Sequence, residues 1–407
     1  MKMPACRICH EEGLHTFLSF GSMPLANNFL REEQLSTPEH CFPLNVCFCD
    51  TCGLVQLGYV VDPDIMFRDY VYLTSASEPL KAHFAELAEE IIQGFDIPPR
   101  SLVVDIGSND GTLLQSFKKL GMTVLGIEPA VNISKLAIQL GIETINDFFS
   151  ERVARMIGTD LGQAKVITAT NVFSHVNDLD DFLIGVSSLL ANDGIFVIEV
   201  PYLVDLLDKM EFDTIYHEHL SYFAIRPLVS VLDEFSMNIV KVERINVHGG
   251  SLRLYLQKSA CSLSPSVLEL LKLEEELKLD SLETYQKFTE KAGQIKESLL
   301  ELLKSLKARG PTIVGYGAPA KGNVLLNYCK IGTDILDYLT DTTPFKQGLY
   351  TPGMHIPVFP ESRFHSAAVD YALLLSWNYA DAILQKEEAY RQAGGKFIVP
   401  IPKPRIV

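Results

Sequence analysis

Near Ser101 the chain changes rhythm, and that change restricts its fold more than any other feature. Short β-rich runs (LVVDIG, TVLGIEP, ETINDFF, KVITATNVF and GIFVIEVP) alternate with helical stretches through residues 101 to about 201. Strands joined by helical crossovers pair in parallel, so this predicts a doubly wound, Rossmann-type sheet. The alternation resumes in TIVGYGAPAKGNVLLNYC, ILDYLTD, YALLLSWN and KFIVPIP, which predicts a second, smaller α/β unit and is compatible with an old duplication. Ahead of the first unit, SEPLKAHFAELAEEIIQGF reads as a helix with Ser77 as N-cap, Pro79 in its first turn and an apolar stripe of Leu80, Phe84, Leu87 and Ile91. After the first unit come an irregular aromatic stretch (EFDTIYHEHLSYFAIRPL), helical SVLDEFSM and strand-like SLRLYLQ. From about 264 to 309 a charged helical segment is expected to be a surface connector, one long helix or a pair. The 407 residues exceed one compact core, and three domains are expected at 1–70, 71–263 and 264–407.

Composition narrows the function classes. Apolar residues make up 47% and charged residues 21%, an ordinary globular balance that excludes a disordered or collagen-like chain. No run approaches the roughly 18 apolar residues of a membrane span. The start, MKMPACRICHEE, lacks the apolar core of a signal peptide, so a cytoplasmic location is expected. With 35 Lys+Arg against 51 Asp+Glu the net charge is −16, which disfavours nucleic acid as a partner but not a local basic pocket for one small phosphate ligand. No sustained heptad pattern is present, and a monomer is the default expectation.

Six of the eight cysteines lie within the first 52 residues. Cys6-x2-Cys9 and Cys49-x2-Cys52 are two knuckles separated by 39 residues, able together to complete a four-thiolate shell around one structural zinc ion. Cys41 and Cys47 are alternative ligands, and His10 sits beside the first pair.

A glycine loop, VVDIGSNDG, follows the first strand. Asp105 ends the strand, Gly107 permits a tight turn, and Gly111 lets the next helix begin close to a ligand. The spacing D-x-G-x-x-x-G differs from the dinucleotide G-x-G-x-x-G, and there is no P-loop lysine. Glu128 closes the second strand, where a carboxylate can accept both ribose hydroxyls, and Asp147 follows the third, where it would meet an adenine edge. Asn109, Pro129 and Asn171 complete the candidate donor-binding set. Together these residues resemble those of the class I S-adenosylmethionine-dependent methyltransferases.

Just after the fifth strand the chain packs Tyr216, His217, Glu218, His219 and Tyr222 together. Two imidazoles, a carboxylate and two phenols could supply a general base, a group to orient it and a donor for an oxyanion. The i, i+2 histidines also leave a metal site open, without the spacing of H-E-x-x-H.

The ordered set of CxxC…CxxC, VVDIGSNDG, YHEHLSYF and GYGAPAKGN resembles the nucleotide-sugar C-methyltransferase family along essentially the whole chain. The resemblance implies a zinc-binding N-terminal domain, a class I methyltransferase (Rossmann-like) central domain binding S-adenosylmethionine, and a C-terminal α/β Rossmann-like domain that helps hold the nucleotide sugar. It implies C-methylation of a nucleoside-diphosphate-linked 4-keto-6-deoxy sugar through an enolate, at carbon 3 or, as in some relatives, carbon 5. It makes His219 the general base, with Glu218 and Tyr216 flanking the sugar or orienting the imidazole, and His175 near the enolate or donor. Tyr70 would reach in from the N-terminal domain, with Tyr72 its rival. Ser75 and Ser77 resemble hydroxyls that contact the diphosphate, and Tyr222 lines the same pocket. In GYGAPAKGN, with Gly315, Gly317 and Gly322, Lys321 is a phosphate contact unless the segment is an ordinary tight turn. Asn323 and Asn378 are further substrate contacts, and the lone Trp377 reads as packing. Two competing functions remain on the same residues: a zinc-ribbon methyltransferase of nucleic acid or another non-sugar acceptor, which the charge opposes, and a non-catalytic sugar-nucleotide scaffold.

Overall fold

A computed structural model describes residues 5–68, 70, 72–247, 249–258 and 263–407; Cys261 lies outside them. The alternation after Ser101 becomes the parallel strands Leu102–Ile106, Thr123–Ile127, Thr144–Ile145, Ala164–Thr170 and Leu190–Pro201. An antiparallel pair, Ser251–Gln257 and Asn238–Ile245, extends the sheet beyond Leu190–Pro201. Strand Leu102–Ile106 has the second strand on one side and the fourth on the other. The winding therefore reverses there, and a crevice opens at the carboxyl ends of these strands, where open α/β sheets bind ligands.

The third strand is shorter than ETINDFF implies. Asn146 donates its side-chain amide to the carbonyls of Glu128 (2.8 Å) and Pro129 (3.1 Å), which draws the chain out of the sheet after Ile145. A second doubly wound sheet repeats the plan. Strand Ile313–Tyr316 is flanked by Leu339–Asp341 and Tyr371–Leu374, with Val358–Pro360, Lys396–Val399 and the antiparallel Arg405–Ile406 further out.

The N-terminal residues form an antiparallel sheet of Leu14–Pro24, Cys41–Cys49 and Val55–Leu57. Its fourth strand, Ser221–Tyr222, comes from the aromatic stretch far along the chain, with Val55 opposite Tyr222 and Gln56 opposite Ser221. One continuous apolar core runs through all three sheets. A second lies between helix Glu78–Gly94 and the donor-side sheet, where Leu87 and Ile91 meet Val103, Phe117 and Val197. That helix buries the expected stripe, and Ser77 stands at its N-cap, but the Ser77 side chain makes no capping hydrogen bond.

The charged 264–309 segment is a pair of helices, Pro265–Glu276 and Leu282–Lys307, and it is not a surface connector. Leu282–Lys307 buries Tyr285, Phe288, Ala292, Ile295, Leu299, Leu303 and Leu306, a stripe at three- and four-residue spacing that its Glu and Lys residues obscure. Tyr285 packs against the rings of Phe17 and Phe48 at 5.0 and 4.8 Å, so this helix backs the N-terminal sheet. Among the described residues no helix is long and apolar enough to cross a membrane.

Candidate active site

The thiols of Cys6, Cys9, Cys49 and Cys52 lie within 4.8 Å of one another, with Cys6–Cys52 and Cys9–Cys49 at 3.5 Å. A tetrahedral ion with metal–sulfur bonds of about 2.3 Å needs sulfurs about 3.8 Å apart, so the four fit zinc and leave no open position. The alternatives point elsewhere: Cys41 is exposed, Cys47 contacts the Thr16 hydroxyl at 3.3 Å, and His10 pairs with Asp180. Arg7, inside the first knuckle, is buried. Its guanidinium donates to the Gln56 side chain and to the carbonyls of Leu57 and Leu220, at 3.0, 3.0 and 3.2 Å.

In the glycine loop, Gly107 has φ +67, and a Cβ there would lie 2.3 Å from Val172 Cγ2. Only glycine permits both the turn and this approach. Glu128 accepts the Asn109 amide on one oxygen (2.9 Å) and the Ala130 amide on the other (2.8 Å), and burial raises its pKa. Asp105 lies beneath the loop, accepts the Thr168 hydroxyl at 2.6 Å, and is pushed up to about 7 by burial. Asn171 turns with φ +57 as strand Ala164–Thr170 ends. Asp147 stands half-buried with Arg152 on one oxygen and the Phe148 amide on the other.

A strap across the loop had no clear signal in the sequence. Asn109 and Asp110 accept the amides of Thr74 (3.0 Å) and Ser75 (2.9 Å), while Asn132 exchanges two hydrogen bonds with the Tyr70 backbone. The strap directs the Tyr70 hydroxyl to Glu218 Oε2 at 2.8 Å, and Asn27 donates to Glu218 Oε1 at 2.7 Å. Burial raises the pKa of Glu218. Tyr72 is 43% exposed, and its carbonyl accepts from the Asn109 side chain. Ser75 and Ser77 are half-buried on the same strap.

His219 Nδ1 lies 2.9 Å from the Thr214 carbonyl. A carbonyl only accepts, so Nδ1 carries the proton, and in the neutral ring the lone pair is on Nε2. His219 packs against the rings of Tyr216 (4.1 Å) and His175 (5.2 Å), and His175 in turn stacks on Phe67. Burial, with His219 adjacent, holds His175 well below the usual imidazole pKa. His217 turns away and donates Nε2–H to the Phe42 carbonyl, so the two histidines do not share an ion. Tyr222 is buried, and its hydroxyl has no hydrogen-bond partner among the described residues. A cleft of about 770 Å³ opens beside Tyr70, walled by Phe29, Arg31, Asn132, Leu136 and Phe345.

The C-terminal sheet repeats the loop geometry. Gly317 has φ +84, and Asp341 accepts the Ala318 amide on one oxygen and the Thr343 amide on the other, both at 2.7 Å. Lys321 is half-buried, with its ammonium 4.6 Å over the Trp377 ring and facing Asp213 and Glu211. Asn323 donates to the Ala26 carbonyl at 2.7 Å, and the Asn378 Oδ1 is buried without a partner among the described residues. Trp377 does more than pack: its indole N–H is donated to Asp213 Oδ2 at 2.6 Å. Sequence reasoning missed Asn27, Thr214, Asp213 and this role of Trp377. Asp110 alone had a signal, because it sits within the glycine loop.

Comparison with known proteins adds three family matches: a zinc binding domain over residues 6–67, a methyltransferase domain over 80–242, and a C-methyltransferase C-terminal domain over 246–402. The C-methyltransferase NovU of Streptomyces niveus is 38% identical over 404 residues, covering 99% of this chain and 96% of its own. Among solved structures, magnesium protoporphyrin IX methyltransferase from Synechocystis PCC 6803 with bound SAM is 12% identical. It has a TM-score of 0.34 over 44% of this chain and 79% of that one. The PH0226 protein of Pyrococcus horikoshii OT3 is also 12% identical, with a TM-score of 0.37 over 46% and 95%.

Proposed function

Because the chain belongs to the C-methyltransferase family and takes its methyl group from S-adenosylmethionine, we propose that it methylates carbon 3 of a nucleoside-diphosphate-linked 4-keto-6-deoxy sugar through an enolate formed by His219. The observation that carries this reading is the hydrogen bond from His219 Nδ1 to the Thr214 carbonyl. It leaves Nε2 as the proton acceptor of a neutral imidazole, among phenols and beside the strap that crosses the glycine loop.

A C–H bond is too weakly acidic to give up its proton unless a neighbouring ketone can take the charge. Carbon 3 of a 4-keto sugar has that neighbour, so His219 Nε2 takes the proton and the charge moves to the carbonyl oxygen. Burial raises the pKa of Tyr216 well above the usual phenol range, which keeps its hydroxyl protonated and able to donate to that oxygen. His175 stays neutral and places no positive charge against protonated His219. Glu218 anchors Tyr70 at the sugar. The Gly107 loop and Glu128 would hold S-adenosylmethionine, which would supply an electrophilic sulfonium methyl for transfer to the enolate carbon, its C–S bond pair leaving with the sulfur of S-adenosylhomocysteine.

The four motifs support the sugar-nucleotide class, and the cleft has the size of a cofactor or substrate site. Arg31 on its wall offers a planar cation to the diphosphate. The test is mass spectrometry of reactions containing S-adenosylmethionine and a panel of nucleotide-linked 4-keto-6-deoxy sugars deuterated at carbon 3. A product heavier by one methylene with the label lost, and turnover reduced about 100-fold or more in His219→Gln, is expected. Label retained in a methylated product, or undiminished turnover in His219→Gln, would overturn the assignment.

A further inference from the structure

The groups that hold His219 extend beyond the YHEH segment. Thr214, whose carbonyl accepts the hydrogen bond from Nδ1–H, ends the short turn Phe212–Thr214. The middle residue of that turn, Asp213, is 0% exposed and is engaged from the C-terminal sheet by the Trp377 indole at 2.6 Å. Trp377 follows strand Tyr371–Leu374, at the crevice where that sheet reverses its winding. The Lys321 ammonium lies 4.6 Å over the indole ring, facing Asp213 and Glu211. Asp213 Oδ1 and Glu211 Oε1 are buried without hydrogen-bond partners among the described residues, so the indole is a scarce donor in an acidic, dry spot.

We propose that Trp377 is a positioning residue for His219: its N–H fixes Asp213, Asp213 fixes the turn Phe212–Thr214, and the last carbonyl of that turn fixes the imidazole. The C-terminal sheet thereby sets the orientation and tautomer of a base carried by the central domain. Lys321 contributes the charge that keeps the buried acid supported. This inference rests on His219 acting as the base. A carboxylate that loses its donor in a dry site shifts to regain one, and a base displaced by about 1 Å loses about 100-fold in rate.

Trp377→Phe keeps an aromatic ring at this position but removes the N–H together with the five-membered ring that carries it. Its kcat is expected to fall about 10- to 100-fold, with KM for the acceptor and Kd for S-adenosylmethionine within about 3-fold of wild type. In 15N-histidine-labelled protein, the Nδ1–H tautomer signal of His219, assigned by its absence in His219→Gln, should weaken in Trp377→Phe. Asp213→Asn/Trp377→Phe, which removes the charge together with its donor, should recover part of the lost kcat. Wild-type kcat with an unchanged tautomer signal would overturn the proposal, and so would a loss of kcat with an unchanged signal. If Trp377→Phe does not fold, Asp213→Ala, which removes the acceptor of the indole N–H, tests the same tautomer signal, and no change there overturns the proposal. The tautomer readout stands whether or not His219→Gln abolishes turnover, so failure of the base assignment is distinguishable from failure of the positioning.

Discussion

Replacing Gly107 by alanine puts a number on how closely the donor loop is built. A Cβ at Gly107 would sit 2.3 Å from Val172 Cγ2, and the next two nearest atoms, both at 3.4 Å, also belong to Val172. The φ of +67 costs an L-residue about 1–2 kcal/mol. Forcing a methyl into the occupied space costs about 1–3 kcal/mol more. If the loop holds its shape only when paid for by ligand, calorimetric titration should show S-adenosylmethionine bound roughly 30-fold more weakly or worse, equivalent to about 2 kcal/mol. Val172→Ala removes the colliding atoms but leaves the dihedral cost, so Gly107→Ala/Val172→Ala should recover the steric share and retain a penalty of about 1–2 kcal/mol. Gly107→Ala binding the donor within 3-fold of wild type, or a double variant no better than the single one, would refute this account of the loop.

Tyr70→Phe removes a charge-assisted hydrogen bond to buried Glu218 and should lower kcat/KM about 10- to 100-fold, whereas Tyr72→Phe should stay within about 3-fold; steady-state kinetics of the two variants separates them. Metal analysis should find one zinc per chain, lost in Cys49→Ser and retained in Cys47→Ala. The Asp105 carboxyl, raised by burial from 3.8 to about 7, gives stability a definite pH slope. Between about pH 4 and 7 the folded chain holds a proton that the unfolded chain has released, so stability falls as pH rises through that window. Thermal midpoints measured from pH 5 to 8 should show Asp105→Asn gaining on wild type as pH increases, and a constant gap would refute this.

What the sequence disclosed follows a physical boundary. The cysteine knuckles and the glycine loop were legible because their chemistry is written in residues two to six apart, and their spacing survives folding unchanged. The YHEH cluster was legible as a cluster, but the roles within it were not. Glu218 is held by Asn27 from 191 residues away and Asp213 by Trp377 from 164, separations at which only the fold brings partners together. The third strand was overextended because Asn146, a side chain with no strand-breaking reputation comparable to proline, captures two carbonyls and ends it. The helix Leu282–Lys307 reads as surface because its Glu and Lys residues are interleaved with the buried stripe, whose Tyr285 meets Phe17 and Phe48. The choice between Tyr70 and Tyr72 depends on the strap, whose anchors are Asn109 and Asp110 in the glycine loop and Asn132 in the first turn of helix Val131–Gln139.

Arg7 gives the thiolate shell a reach that its closed coordination would not suggest. From between Cys6 and Cys9 its guanidinium clasps the carbonyl of Leu220, the residue after His219, across the seam where Gln56 pairs with Ser221. Nothing comparable ties the knuckle to Glu128 or Gly107 among the described residues. Protein produced in metal-poor medium, or purified through a chelating buffer, should therefore load its donor normally and yet stand idle. The specific activities of two preparations are comparable only after each has been divided by its zinc content.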